Sequence, residues 1–236
     1  INVIIIHGGG PNISDMLEKL DIPTEFINGL RVTDAHTMEI VEMVLSGKIN
    51  KEIVGELCKH GINSIGISGR DSNLIVAKKT HTYNGEEKID LGHVGEVEKI
   101  NIKVLEDLLD NGYVPVISPV GADYTGDIYN INADYAAAAV SSELKAEKLI
   151  LLSDVEGLYK DINDPDTFIS EATSVEVQQY MYEGMILGGM IPKMQCCIEA
   201  IKEGTKDVHV IDGRKEHSLL LEVFTDAGSG TMIRGV

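Results

Sequence analysis

The chain has 236 residues, of which 43% are hydrophobic, enough to fill the core of one large domain or of two lobes. Its formal net charge is −18, from 38 acidic and 20 basic residues. Such a surface repels nucleic acid and anionic membranes, so neither is expected as a partner. The sequence shows no apolar run of roughly 18 residues and no signal peptide, and we therefore expect a cytoplasmic protein.

The cysteine content excludes two further classes of protein. Cys58, Cys196 and Cys197 are odd in number and two of them are adjacent, which fits neither a disulfide framework nor a zinc site. We expect them to be buried helix thiols in a reducing compartment.

Strand and helix patterns alternate along the chain. The predicted strands are 2–6, 64–67, 74–78, 114–120, 148–153 and 208–211. The predicted helices are 34–45, 49–58, 102–111, 133–144, 174–183, 192–203 and 217–224, with Gly47 breaking the first and Gly61 ending the second. This alternation predicts an α/β fold with a mostly parallel open sheet between helices. We expect two lobes in one domain, 1–147 and 148–236.

One stretch departs from the alternation. Residues 74–100 carry no helix signal, and Tyr83-Asn84-Gly85-Glu86 is typical of a hairpin turn. We interpret this stretch as a small β-hairpin insertion that acts as a lid on a substrate site.

The strongest local motif is the apolar strand 3–6 followed by His7-Gly8-Gly9-Gly10-Pro11. Glycine permits positive φ and close approach of the backbone to a ligand, and exposed amides before a helix favour an anion. A plain tight turn is the alternative. Ile13 replaces a glycine that a dinucleotide-binding fingerprint requires, and the chain contains neither a P-loop nor a G-x-S-x-G nucleophile motif.

Four more motifs place polar residues at turns and at strand ends. Arg31, in Asn-Gly-Leu-Arg-Val-Thr, suits a bidentate grip on a carboxylate or a surface ion pair. Asn130-Ile-Asn-Ala-Asp134 lies at a strand-to-helix junction, where either asparagine is a candidate helix cap. The other two are Leu-Leu-Ser-Asp-Val at 151–155, an ordinary turn or a ligand site, and Gly-Gly-Met-Ile-Pro-Lys at 188–193. A lysine in the first turn of a helix opposes the helix dipole, which suggests an anionic partner or a solvated side chain.

These motifs, with Leu-Gly-His-Val-Gly at 91–95, resemble in order those of the amino acid kinase superfamily, and within it the N-acetylglutamate kinase family of arginine biosynthesis. The resemblance covers essentially the whole chain. It implies phosphorylation of the side-chain carboxylate of N-acetyl-L-glutamate by ATP. Mg²⁺ is expected on phosphates and water, so no protein ligand to a metal is expected.

The resemblance also implies roles for individual residues. The substrate would be bound by the amides of Gly9 and Gly10, by Arg31 on its α-carboxylate and by Asn130 on its acetamido group. Lys193 would neutralise the transferring phosphoryl group and Asp134 would orient the lysines. The nucleotide-binding site would be lined by Ser153, Asp154, Val155, Gly157, Leu158, Tyr159, Met185, Ile186 and Leu187.

The C-terminal run resembles the branch of the family that arginine inhibits. Glu222, with His217 and Gly230 nearby, is the expected L-arginine site, in a homodimer or a hexamer. The alternative is that residues 219–221 are the buried face of a last helix and Glu222 its solvated edge. Family members also begin with an earlier strand ending in Lys-x-Gly-Gly, and we expect that part to precede the sequence given. Two other functions stay open: a kinase of the same fold for carbamate, aspartate, glutamate or UMP, and a non-catalytic ligand sensor.

Overall fold

The computed structural model describes residues 1–85, 87–161, 163–225 and 228–235. They form two compact units, Ile1–Ala136 and Ala137–Val236, and each unit is described by itself. The division falls inside a helix that spans Ala133–Glu143, whereas the sequence suggested a division after residue 147.

The first unit alternates strands with helices. Its elements in chain order are β1 (Ile5–Ile6), α1 (Gly10–Lys19), β2 (Phe26–Ile27), β3 (Leu30–Arg31), α2 (Ala35–Glu42), α3 (Asn50–Lys59), β4 (Ser64–Ser68), β5 (Ile75–Asn84), β6 (Glu87–Ile100), α4 (Lys103–Asp110), β7 (Val114–Ser118), β8 (Val120–Ala122), β9 (Ile128–Asn130) and the start of α5 (Ala133–Glu143). Strands β1, β7 and β4 form a parallel sheet in that order.

The predicted hairpin is confirmed, and it belongs to a small barrel. Strands β5 and β6 pair antiparallel up to Asn84 opposite Glu87, and β9 and β8 close the barrel. Glu86, in the predicted turn, lies outside the described residues. The prediction of one strand over 114–120 is wrong: Pro119 lacks an amide hydrogen, and the chain divides there into β7 of the parallel sheet and β8 of the barrel.

The predicted helix break at Gly47 is also wrong. Helix α2 continues through a π-helical segment, Met43–Ile49, directly into α3. Val44 and Leu45 of this segment are buried in a core cluster with Ile13 and Leu17 of α1. Burying such side chains contributes about 1.5–3 kcal/mol each, which outweighs the roughly 1 kcal/mol that glycine costs in a helix.

The second unit has its own sheet. Its remaining elements are β10 (Lys148–Ser153), β11 (Leu158–Tyr159), β12 (Phe168–Ile169), β13 (Glu171–Thr173), α6 (Ser174–Tyr182), α7 (Met190–Lys202), β14 (Asp207–Asp212), α8 (Ser218–Phe224) and β15 (Thr231–Arg234). The sheet order is β10-β14-β15-β13, with β14 and β15 antiparallel and the other two pairs parallel.

Helices alternating with largely parallel strands confirm the α/β class. No helix in the described part of the chain is long and apolar enough to cross a membrane. Cys196 and Cys197 are buried in α7, but Cys58 is exposed, so the expectation of three buried thiols is wrong for that residue.

Candidate functional site

The glycine loop joins β1 to the N-terminus of α1. None of its three glycines lies in the left-handed region of backbone space, and Gly9 is extended, with φ 178°. Gly9 is closely packed, because a Cβ there would lie 2.8 Å from Cδ2 of Leu45 and closer still to Cδ1 of Ile49, so these side chains would have to shift. Around Gly10 no atom lies within 4 Å of a built Cβ. The loop is therefore packed on one side and open at the start of the helix.

The amides of this loop form a donor group. Helix α1 begins without a side-chain cap, and within the described residues nothing accepts a hydrogen bond from the amides of Gly8, Gly9 or Gly10. Unpaired amides at a helix N-terminus carry partial positive charge. This end of α1 can bind an anion.

Arg31 points at the same loop from the β2–β3 hairpin. Its Nη2 donates to the carbonyl oxygen of Gly10 at 3.1 Å and to Oγ of Ser14 at 2.8 Å, and its guanidinium lies 4.5 Å from the centre of the Phe26 ring. The side chain is only 6% exposed. Its Nη1 has no hydrogen-bond partner within the described part of the chain. Burial lowers the pKa of Arg31, yet a guanidinium stays charged in proteins. The alternative of a surface ion pair is wrong.

Arg31 is tied to the barrel through Thr33. The hydroxyl of Thr33 donates to the Arg31 carbonyl at 2.9 Å, and backbone bonds join Thr33 to Leu91 and His93. Gly92, between them, has φ +75°, and a Cβ there would lie 2.9 Å from the carbonyl carbon of Thr33. The Leu-Gly-His-Val-Gly motif thus packs against the segment that carries Arg31.

The asparagine motif begins α5. The side chain of Asn132 accepts from the amide of Asp134 at 2.8 Å, so Asn132 is the helix cap and Asn130 is not. Asn130 ends β9, opposite Val120. A Cβ built at Gly8 would lie 3.6 Å from that of Ala133. The first unit thus brings the glycine loop, Arg31 and the start of α5 together.

The candidate nucleotide residues lie in the second unit. Ser153 ends β10 opposite Asp212, at the carboxyl ends of two parallel strands. Gly157, at φ +153°, leaves room for the Phe168 ring, which a Cβ would approach to 3.0 Å. Tyr159 packs edge-on against the same ring at 5.2 Å. Asp154 is exposed, Val155 is half-buried and Leu158 is buried.

The remaining candidates lie around α7. Met185 is half-buried, Ile186 buried and Leu187 exposed in the turn before this helix. Lys193 is half-buried in the first turn of α7. Within the residues that the structure describes, no three His, Cys, Asp or Glu side chains gather to bind a metal ion.

Arg214 is a cation near Asp154 and Glu156 that the sequence motifs did not indicate. Arg214 makes a bidentate pair with Asp212, both contacts at 2.9 Å, and this pair lowers the pKa of Asp212 to about 2. The charges of Asp154 and Glu156 add to the rise in the pKa of Arg214. Asp-Gly-Arg directly after a predicted strand was the available signal.

The C-terminal candidates do not all come together. A cavity of about 260 Å³ is lined by Glu222, Gly230 and others including Lys148 and His209, but His217 is exposed and does not line it. His209, which the sequence analysis missed, contacts Glu222 through Nδ1 and Lys148 through Nε2.

The alternative for the last helix, in which residues 219–221 are buried and Glu222 is solvated, is wrong, because the structure shows the opposite exposure. Leu219, Leu220 and Leu221 are 45, 54 and 41% exposed, whereas Glu222 is 7% exposed. Amides of Ser229 and Gly230 donate to the Glu222 carboxylate at 2.6 and 3.1 Å. Burial raises the pKa of Glu222, but these bonds and His209 outweigh it and lower that pKa below its ordinary value.

Comparison with known proteins identifies the family. The model of the amino acid kinase family matches residues 1–212. The chain belongs to the amino acid kinase family. It is 54% identical to a protein of Carboxydothermus hydrogenoformans named acetylglutamate kinase, over 99% of this chain and 81% of that protein. A Clostridium acetobutylicum protein of the same name is 52% identical, over 97% and 78%.

A solved structure has a similar fold. The crystal structure of smu.665 from Streptococcus mutans superposes with a TM-score of 0.80 at 30% identity, covering 100% of this chain and 86% of that one. The family resemblance drawn from the motifs is confirmed.

Proposed function

We propose that this protein transfers the γ-phosphoryl group of ATP to the side-chain carboxylate of N-acetyl-L-glutamate, forming an acyl phosphate in arginine biosynthesis. Relatives that are 54% and 52% identical carry the name acetylglutamate kinase. The single observation that carries the proposal in this chain is Arg31, buried beside the glycine loop with Nη1 unpartnered within the described residues.

An unpartnered buried guanidinium nitrogen is available to bind a ligand. Leaving such a donor unpaired costs about 1–3 kcal/mol or more, and a carboxylate would pair with it through charge-assisted bonds. The Arg31 guanidinium lies within hydrogen-bond distance of the Gly10 carbonyl, so a ligand on Nη1 sits near the loop amides. This arrangement suits the α-carboxylate of the substrate, with Asn130 binding the acetamido group.

The reaction depends on positioning and on charge neutralisation. A carboxylate is already a nucleophile, so no general base is needed, and phosphoryl transfer is promoted by donors aimed at the developing charge. Gly9 and Gly10 supply amides in the first unit. Lys193 neutralises the transferring group and Asp134 orients the lysines. Mg²⁺ enters with ATP, bound mainly by phosphates and water.

We assign the nucleotide to the second unit. Residues 153–159 begin at the carboxyl end of β10, beside that of β14, which is where α/β sheets bind ligands. Residues 153–159 and 185–187 line it in this proposal, and Arg214 adds a cation beside Asp154.

A coupled ADP-release assay across acceptors tests the function. N-acetyl-L-glutamate should have the highest kcat/KM, with L-glutamate, L-aspartate, carbamate and UMP far below it. A preference for any of these four would assign a different kinase of the same fold. ADP release with none of them, while N-acetyl-L-glutamate binds in calorimetry, would assign a ligand sensor.

We also propose that the C-terminal cavity binds L-arginine as a feedback inhibitor. It offers the ionised Glu222 to a guanidinium, and its volume of about 260 Å³ suits a small amino acid. The net charge of −18 attracts a cationic ligand at long range. Because His217 lies outside the cavity, His209 replaces it in this proposal.

Titration calorimetry with L-arginine separates these assignments. Glu222→Gln should weaken binding at least tenfold, since the charge-assisted bond is lost. His217→Ala, at the exposed position just before α8, is the control and should leave the affinity unchanged. Equal binding by parent and Glu222→Gln would exclude Glu222, and an absence of binding would exclude arginine control.

We further propose that the protein is a cytoplasmic homodimer or a hexamer, as in the arginine-inhibited branch it resembles. Analytical ultracentrifugation of the full protein, with and without L-arginine, distinguishes these states. A monomer at micromolar concentration would contradict both.

A further inference from the structure

His7 lies between β1 and the glycine loop and is 8% exposed. Its Nδ1 is 3.0 Å from the carbonyl oxygen of Gly8. A carbonyl oxygen only accepts hydrogen bonds, so this contact requires a hydrogen on Nδ1.

The other ring nitrogen faces a donor. Nδ2 of Asn50 lies 3.3 Å from Nε2 of His7 and donates to the Val116 carbonyl at 2.9 Å. The orientation of this amide is fixed, because Asn50 Oδ1 accepts from Lys51 Nζ at 3.0 Å. The same Nδ2 also lies 3.4 Å from the Ile67 carbonyl oxygen, so its two hydrogens are shared among three acceptors. A neutral ring with its hydrogen on Nδ1 leaves Nε2 as an acceptor that faces this donor. Burial lowers the pKa of His7, although the bond to Gly8 raises it, so the ring is neutral near pH 7 with its hydrogen on Nδ1.

This tautomer has a consequence for the loop. In a trans peptide the C=O and N–H point in opposite directions. When His7 holds the Gly8 carbonyl on its own side, the Gly9 N–H of the same peptide points away from His7. Gly9 is the amide that the proposed mechanism uses, and nothing in the described residues accepts from it.

We propose that His7 is a positioning residue that fixes the Gly8–Gly9 peptide plane and so aims the Gly9 N–H at the transferring phosphoryl group. The inference rests on the proposed function for the role of that amide. A purely structural histidine would fill the same space, and its replacement would lower stability without a selective effect on kcat.

The first test is nitrogen-15 NMR of the parent protein without substrate. The ring of His7 should show hydrogen on Nδ1 and none on Nε2 from pH 7 to pH 8. A ring with hydrogen on Nε2, or on both nitrogens at pH 7, would overturn the inference. This result does not depend on which acceptor is phosphorylated.

The second test is a pair of amide variants. In His7→Asn the side-chain nitrogen takes the place of Nδ1, whereas in His7→Gln it takes the place of Nε2. Losing an aimed donor outright costs about 100- to 1000-fold, and His7→Gln releases the peptide without removing its amide. We therefore expect His7→Gln to lower kcat tenfold or more, with smaller changes in both KM values. His7→Asn should stay within about fivefold of the parent, since only a neutral bond to Asn50 is lost.

The Gly9 amide signal in the same spectra gives a readout without turnover. It should shift strongly in His7→Gln and little in His7→Asn. Equal kcat and equal Gly9 shifts in the two variants would overturn the inference. An inactive parent whose Gly9 signal still separates the variants would contradict the proposed function and leave the role of His7 in the loop supported.

Discussion

Replacing Arg31 with lysine tests the acceptor subsite directly. In the structure Nη2 already contacts Gly10 and Ser14, at 3.1 and 2.8 Å, which leaves Nη1 for a ligand. Lysine has one nitrogen for both tasks. Losing the second charge-assisted contact costs about 1.5–3 kcal/mol. At 1.36 kcal/mol per factor of ten, the acceptor KM should rise about 10- to 150-fold.

The assay is steady-state ADP release with each substrate varied in turn. The ATP KM should change little, because the proposed partner of Arg31 is the acceptor carboxylate. Thermal unfolding of Arg31→Met serves as the structural control. This variant loses the two hydrogen bonds to Gly10 and Ser14, but it also removes the cost of burying an unpaired charged nitrogen. Because the two effects oppose each other, we expect the free energy of unfolding to change by less than about 1 kcal/mol. A parallel rise in both KM values, or an unchanged acceptor KM, would refute this reasoning.

Three further predictions follow from the same structure. Lys193→Ala should lower kcat about 100- to 1000-fold while calorimetry shows acceptor binding intact, since the lysine acts on transition-state charge; near-parental turnover would remove it from the mechanism. Ser72 has φ +53°, so Ser72→Gly should raise the urea-unfolding free energy by about 0.5 kcal/mol, and a decrease would show that no strain is relieved. Gly92→Ala should raise the acceptor KM, whereas Gly112→Ala, with a similar φ but open space around it, should only lower stability; matching kinetics would show that contact with the Arg31 segment is unimportant.

The fold class followed from the alternation of patterns, because local hydrophobic periodicity reports which face of each element is buried. The errors lie where packing outweighs a local signal. Gly47 resembles a helix break, but Val44 and Leu45 before it are buried in one core cluster and Ile49 after it packs against the same cluster. Pro119 looked like part of one strand, although its missing amide hydrogen is what divides the chain between two sheets.

The candidate residues were found through motifs, and their detailed geometry was not. No local pattern shows that Arg31 is buried with a free Nη1 or that His7 bonds to Gly8. The arginine-site candidates show the limit most clearly. His209 and Glu222 are thirteen positions apart and meet through the packing of α8 on β14, whereas His217, nearer in sequence, points to solvent.

The space around Gly9 couples the loop to a distant part of the chain. Its neighbours Leu45 and Ile49 belong to the π-helical segment, so the absence of a side chain at position 9 is matched by two large ones there. The effect of a substitution at position 9, 45 or 49 therefore depends on which residues occupy the other two positions. A shorter side chain at position 45 or 49 would make room for alanine at position 9, and a larger one would press on the glycine loop.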